Sequence, residues 1–325
     1  MRAGKGKKQY RNCRKYLLFS LLVFVLTGLV FLYVKGMSSD SKQVKIGATY
    51  MTMNNPYFVN MDENIEESVQ ARGDILITRD PLQDQKKQNE QIEDMLDEGI
   101  DVLFLQPVNR NKVRPALELC KKRHVPVFVI DSEVADKEAV VSTIVSDNYD
   151  AGVQCAKDMM KKKSSANIVI VNQKALNSIN ERVKGFRDTI KGHPEYKIVE
   201  EKESSAEFEI AMKVMEKIIY ENKDYDVVMG GNDPIALGCI AAMQMTDKTD
   251  QVMVYGVDGS PDGKAMIKAG FLEGTAAQSP IKIGEKAVQT AYSYLAGETV
   301  QKYITIPVEL ITADNLKFYD MTGWQ

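Results

Sequence analysis

The chain has 325 residues, 44% of them apolar, with unremarkable glycine and proline content, so it can bury a large core and is not a disordered polymer. Residues 1–15 carry seven positive charges and no acid, which leaves −10 on the rest of a chain whose net charge is −3. An acidic body excludes a nucleic-acid-binding surface, because phosphate needs a basic face. Two histidines in polar turns, His124 and His193, and four cysteines without paired spacing exclude a zinc site. Cys120, Cys155 and Cys239 sit among apolar neighbours and read as small buried hydrophobes, while Cys13 beside an apolar run is a candidate for palmitoylation.

From the N-terminus, the basic segment 1–15 precedes Tyr16–Val34, which holds 19 residues without a charge. As a helix this run spans about 28 Å at 1.5 Å per residue, enough to cross a bilayer. The flanking cations place residues 1–15 in the cytoplasm and everything after Lys35 outside. The run is longer than the apolar core of a cleaved signal peptide and no small-residue cleavage site follows. Residues 16–34 therefore read as an uncleaved single-pass anchor in the lipid bilayer of the cell membrane, and residues 35–43 as a polar linker.

From Val44 on, strands and helices alternate. Val44–Tyr50 reads as a strand, and Phe58, Met61, Ile65 and Val69 recur at helical spacing. Strands are expected at Asp74–Thr78, Asp101–Leu105 and Pro126–Ile130, with helices over Asp84–Glu98, stopped by Gly99, and over Lys112–Lys122. The strands are short, continuously apolar and β-branched, as parallel strands covered on both faces are. The pattern then restarts. Strands are expected at Asn167–Val171, Lys197–Val199, Asp226–Met229 and Val252–Val257, with helices near Ile179–Ile190, Phe208–Tyr220 and Pro234–Met245. In each half a strand ends in an aspartate, Asp131 in the first and Asp258 in the second. Ligands of open α/β sheets bind at that edge. Two sheets facing each other would line a cleft with both carboxylates.

Polar residues follow other strand ends: Asn54-Asn55-Pro56-Tyr57-Phe58, Gly231-Asn232-Asp233-Pro234 and Ala277-Gln278-Ser279-Pro280. Asn and Gln donate and accept, and Asp accepts, which suits the hydroxyls of a sugar, while aromatic rings suit its apolar face. Read alone, Asn54-Asn55-Pro56 is also a helix start, Asp233 a cap, and Arg182 a surface cation.

Eight stretches in fixed order carry a family likeness: NNPYF (54–58), DVLFLQPV (101–108), VPVFVID (125–131), SDN (146–148), ERVKGF (181–186), NDPIALG (232–238), GVDGSPDG (256–263) and AQSP (277–280). On these the chain resembles the type I periplasmic binding proteins, their ribose-binding members most closely. The resemblance implies two Rossmann-like lobes with parallel sheets, joined by three hinge crossings near Val145–Asp147, Gln278–Ser279 and Pro307–Val308. The N-terminal lobe would hold 44–145 plus 279–307, and the C-terminal lobe 146–278 plus 308–325. It further implies ligand contacts from Asn55, Tyr57, Phe58, Asp131 and Ser132 of the first lobe, and from Arg182, Asn232, Asp258 and Gln278 of the second. Ser132 stands where the ribose binders carry Arg, and Ala206 where they carry an aromatic, so the resemblance does not fix the sugar.

The expected function is capture of a small sugar for the membrane permease of an ABC transporter. The alternative is a membrane-anchored sensing subunit that passes lobe closure to a sensor kinase or chemoreceptor. No nucleophile elbow, zinc-protease motif, phosphate loop or dinucleotide fingerprint is present, so neither catalysis nor a cofactor is expected. A sugar-responsive repressor would need a DNA-binding helix pair before residue 44, where the apolar run stands.

Overall fold

A computed structural model describes residues 43–221, 224–246 and 252–325, together with Phe24, Leu26 and Thr27. The expected basic segment, Cys13, nearly all of the expected anchor 16–34 and the linker up to residue 42 lie outside the described residues. Among the described residues no helix is long and apolar enough to cross a membrane. The chain divides into residues 1–43 and 44–325, and the second unit holds every strand described below.

Twelve described strands form two six-stranded sheets. The first has the order β11-β5-β4-β3-β1-β2, where β1 is Lys45–Thr49, β2 Ile75–Arg79, β3 Val102–Leu105, β4 Val127–Ile130, β5 Ser142–Ser146 and β11 Tyr303–Ile306. All five of its pairings are parallel. The second has the order β12-β10-β9-β8-β6-β7, where β6 is Ala166–Asn172, β7 Tyr196–Glu203, β8 Val227–Gly230, β9 Met253–Asp258, β10 Gly274–Ala277 and β12 Glu309–Thr312. Only its β10–β12 pairing is antiparallel. Every residue of β3, β4 and β8 is buried, which is why these strands read as unbroken apolar runs rather than alternating ones.

The helices supply the covering layers. In the first half they are α1 (Pro56–Gln70), α2 (Gln85–Asp97) and α3 (Arg114–Arg123). In the second they are α4 (Asn148–Lys162), α5 (Asn177–Ile190), α6 (Phe208–Tyr220), α7 (Asp233–Gln244) and α8 (Pro261–Ala269), and α9 (Pro280–Leu295) returns to pack on α1. Helix α1 shows how sequence sets an element. Asn55 caps it through Tyr57 N–H, Pro56 fits the first turn, and Tyr57, Phe58, Met61, Ile65 and Val69 form its buried stripe.

Strand β5 lies in the first sheet, whereas α4, which follows it, packs against strands of the second. The chain changes sheets again between β10 and α9, and between β11 and β12. The β11–β12 link is only Pro307-Val308, and β12 enters the second sheet reversed. Cys120, Cys155 and Cys239 are buried free thiols, as their apolar neighbours indicate.

Candidate functional site

The carboxyl edges of the two sheets face one cavity. Its wall is built from Asn55, Tyr57, Phe58 and Asp131 on one side and Arg182, Asn232, Asp258 and Gln278 on the other. These are eight of the nine residues expected from sequence. The ninth, Ser132, is fully buried but does not line the cavity, and its Oγ instead accepts from Ser178 N–H at 3.2 Å, linking β4 to the start of α5.

Both strand-end aspartates have uncommon backbones. Asp131 has φ 62° and Asp258 φ 149°, and Ala206, also in the wall, has φ 60°. Non-glycine residues adopt such angles at a cost of order 1–3 kcal/mol, and such strain concentrates where a side chain must be aimed. Asp131 is held by its N–H donating to Ile144 O at 2.9 Å. Burial pushes its carboxyl up to about 6, a rise partly offset by Arg182, Tyr57 and the Gln106 amide. Tyr57 is raised well above the usual phenol range, first by burial and then by the charges of Asp131 and Asp258.

On the opposite wall, Asp258 Oδ1 accepts from Gln278 Nε2 at 2.7 Å and lies 3.8 Å from Arg182 Nη1. Burial raises the Asp258 carboxyl, and Asp233 beside it raises it further, against the opposing pull of Arg182. Arg182 is not a surface cation. It is buried, donating from Nε to Asn148 Oδ1 at 2.8 Å and from Nη1 to Gly231 O at 2.8 Å. Asn232 caps α7 by accepting from Ile235 N–H at 3.0 Å. The simpler helix-start reading of Asn55 and Asn232 therefore holds together with their place in the wall.

Asp233 corrects the sequence reading. It is not a cap but a fully buried hub that accepts from Thr275 Oγ1 at 2.6 Å and from Ser260 N–H and Oγ at 2.9 and 2.7 Å. Burial raises its carboxyl too. Ala206, which the family likeness places at a ring position, lines the wall, and sequence reading missed Met51, Leu176, Ser178 and Ile179 there, and Gln106 behind Asp131. Gln106 follows the end of β3, so the edge rule that picked out Asp131 reaches it as well.

Three buried side-chain atoms here make no hydrogen bond of standard geometry: Tyr57 Oη, Gln106 Nε2 and Gln278 Oε1. The first two lean on the Asp131 carboxylate, and Gln278 Oε1 is left open to a polar ligand, because a buried polar atom without a partner costs about 1–3 kcal/mol. A phenol, an amide acceptor, two carboxylates and a guanidinium are the set that a polyhydroxylated ring satisfies from both sides. Among the described residues no cluster of His, Cys, Asp or Glu is arranged to hold a metal ion.

Two α/β sheets with a polar cavity between their carboxyl edges define a two-lobed ligand-binding protein. The chain belongs to the family described as periplasmic binding protein domain, whose model matches residues 46–299. It is 31% identical to the ribose import binding protein of Bacillus subtilis, over 85% of this chain and 89% of that protein. Among solved structures it is similar to an ABC transporter solute binding protein from Mycobacterium smegmatis with bound glycerol (TM-score 0.82, 26% identity, 87% of this chain and 100% of that one). It is also similar to one from Agrobacterium vitis with bound D-fucose (TM-score 0.79, 25% identity, 84% and 96%). These relatives are binding proteins, not enzymes.

Proposed function

We propose that this protein captures a small sugar in the cavity between its lobes and delivers it to the permease of an ABC-type sugar transporter. The observation that carries the proposal is the convergence of Asp131 and Asp258 from separate sheets on one cavity, where Gln278 Oε1 has no hydrogen-bond partner among the described residues. The relatives' names, an import binding protein for ribose and transporter proteins with bound D-fucose or glycerol, point to the same class of ligand. In this reading the lobes are 44–145 plus 279–307 and 146–278 plus 308–325, and the eight wall residues contact the sugar. A thermal-shift screen of pentoses, hexoses, polyols and sugar acids tests it. A ligand at 100 times its Kd adds about 2.7 kcal/mol of stability. A screen in which no sugar raises the melting temperature rejects the proposal.

We further propose that residues 16–34 anchor the protein to the membrane, with residues 44–325 outside. The support is the charge-free run and its basic flank. Mass spectrometry of the membrane fraction should find peptides from before Lys35, and a mature chain starting near Met37 would reject the anchor. An anchor followed by so short a linker also favours a sensing role beside a kinase. Lost sugar-induced transcription with normal uptake in a deletion strain, its permease expressed from a foreign promoter, would select that role.

A further inference from the structure

The last six residues carry the chain's only tryptophan, Trp324. They are tied to the second half of the molecule. Lys264, on α8 and fully buried, donates from Nζ to Asp320 O and, at 2.6 Å, to Gly323 O. With its amide oriented to satisfy both neighbours, Gln325 donates to Gly259 O at 3.1 Å and accepts from Lys264 Nζ at 2.9 Å. The tail thus lies against the turn that follows Asp258. Its indole does not rest there. It meets the Tyr57 ring edge-on, with centroids 5.4 Å apart and planes at 76°. Tyr57 belongs to α1, on the first sheet, and its hydroxyl lies against the Asp131 carboxylate in the cavity wall.

We infer that residues 320–325 form a clasp between the two lobes, in which Trp324 is a positioning residue that sets the Tyr57 phenol against the ligand. The inference rests on the binding reading above and deepens it. Phe58 packs on Tyr57 at 84° with centroids 5.4 Å apart, so the phenol is held between one ring of its own lobe and one carried by the other lobe. Opening the lobes would pull Trp324 off Tyr57, and closing them would seat it. The contact therefore favours the closed form and fixes the rotamer of a ring in the ligand's wall. Edge-on aromatic pairs are favourable beyond the area they bury. A wall group held in place also spares the ligand the entropy of ordering it.

The test titrates the full chain with D-ribose, D-allose, D-fucose and myo-inositol, following heat and Trp324 emission together. Each compound that binds should shift the emission at saturation. Trp324→Ala and Lys264→Met should each weaken that binding roughly tenfold, Trp324→Phe should largely restore it, and the sugar-free melting temperature should stay near the parent's. Native affinity in both weakened variants overturns the clasp. If none of the four binds, the sugar reading is in trouble and the clasp is judged by acrylamide quenching of Trp324 in the sugar-free protein. Quenching should rise in Tyr57→Ala, and unchanged quenching overturns the clasp whatever the ligand.

Discussion

Arg182 Nη1 lies 3.8 Å from Asp258 Oδ1 while donating to Gly231 O at 2.8 Å, and both side chains are buried. It is the cation of a wall that also holds Asp131 and lies close to Asp233. Removing one partner of a buried pair is strongly destabilising, about 3–5 kcal/mol, because the other charge is stranded. Arg182→Met should therefore lower the melting temperature at pH 8 and abolish sugar binding. The loss should shrink at pH 5, where the stranded carboxylates take up protons. An equal loss at both pH values would show that Arg182 acts through packing alone.

The two strand-end carboxylates should carry much of the affinity. Hydrogen bonds to charged groups contribute roughly 1.5–3 kcal/mol each. Asp131→Ala and Asp258→Ala should each weaken binding about ten- to a hundredfold. Asp131→Ala sheds a costly buried charge and should stay folded, whereas Asp258→Ala strands the Arg182 guanidinium and should also lose stability. Calorimetry showing native affinity in both would move the site elsewhere.

Asp131 also gives a pH signature. Its carboxyl sits at about 6 in the fold, against roughly 3.9 in an unfolded chain. The folded state thus holds this proton more tightly. The group's stabilising contribution is fully present below about pH 4 and is lost as the pH rises through 6, about 3 kcal/mol in all. Asp131→Asn should remove that part of the decline in sugar-free stability between pH 4 and 7. Sugar hydroxyls need the ionised form as acceptor, so binding should run the other way and weaken below about pH 6. Parallel stability profiles for parent and variant would show that Asp131 does not titrate there.

Much of this site was legible because two periodicities located the strands and the edge rule located their ends. Asp131 and Asp258 needed nothing more. Asp233 was not legible. An aspartate beside a helix-starting proline looks like a cap, and only the fold brings Thr275 and Ser260 to it. Local pattern alone left Arg182 as a helix-surface cation, and only the family likeness put it in the wall, because its partners, Asn148, Gly231 and Asp258, are distant in sequence. Strands β11 and β12 are four residues long with mixed burial, so their places in the sheets follow from pairing rather than from local pattern. Nothing local to Trp324 predicts its contact with a ring 267 positions earlier.

Arg182 reaches the wall through a close contact between helices. Helices α4 and α5 touch backbone to backbone. A Cβ on Gly152 would come within 1.8 Å of Arg182 O, and one on Gly185 within 2.0 Å of Tyr149 O. In a free helix Gly→Ala is favourable by up to about 1 kcal/mol. Here the sign should invert, because the obstacle is backbone that cannot rotate away, and overpacking costs typically about 1–3 kcal/mol. Gly152→Ala would relax by moving α5 outward, which carries the Arg182 guanidinium away from Asp258. Its effect on affinity should therefore exceed its effect on stability, and by more than for Gly185→Ala, whose clash falls on Tyr149 instead. Melting curves and calorimetry on the two variants separate these outcomes. A Gly152→Ala protein that is more stable than the parent and binds sugar normally would mean that the helix contact does not position Arg182.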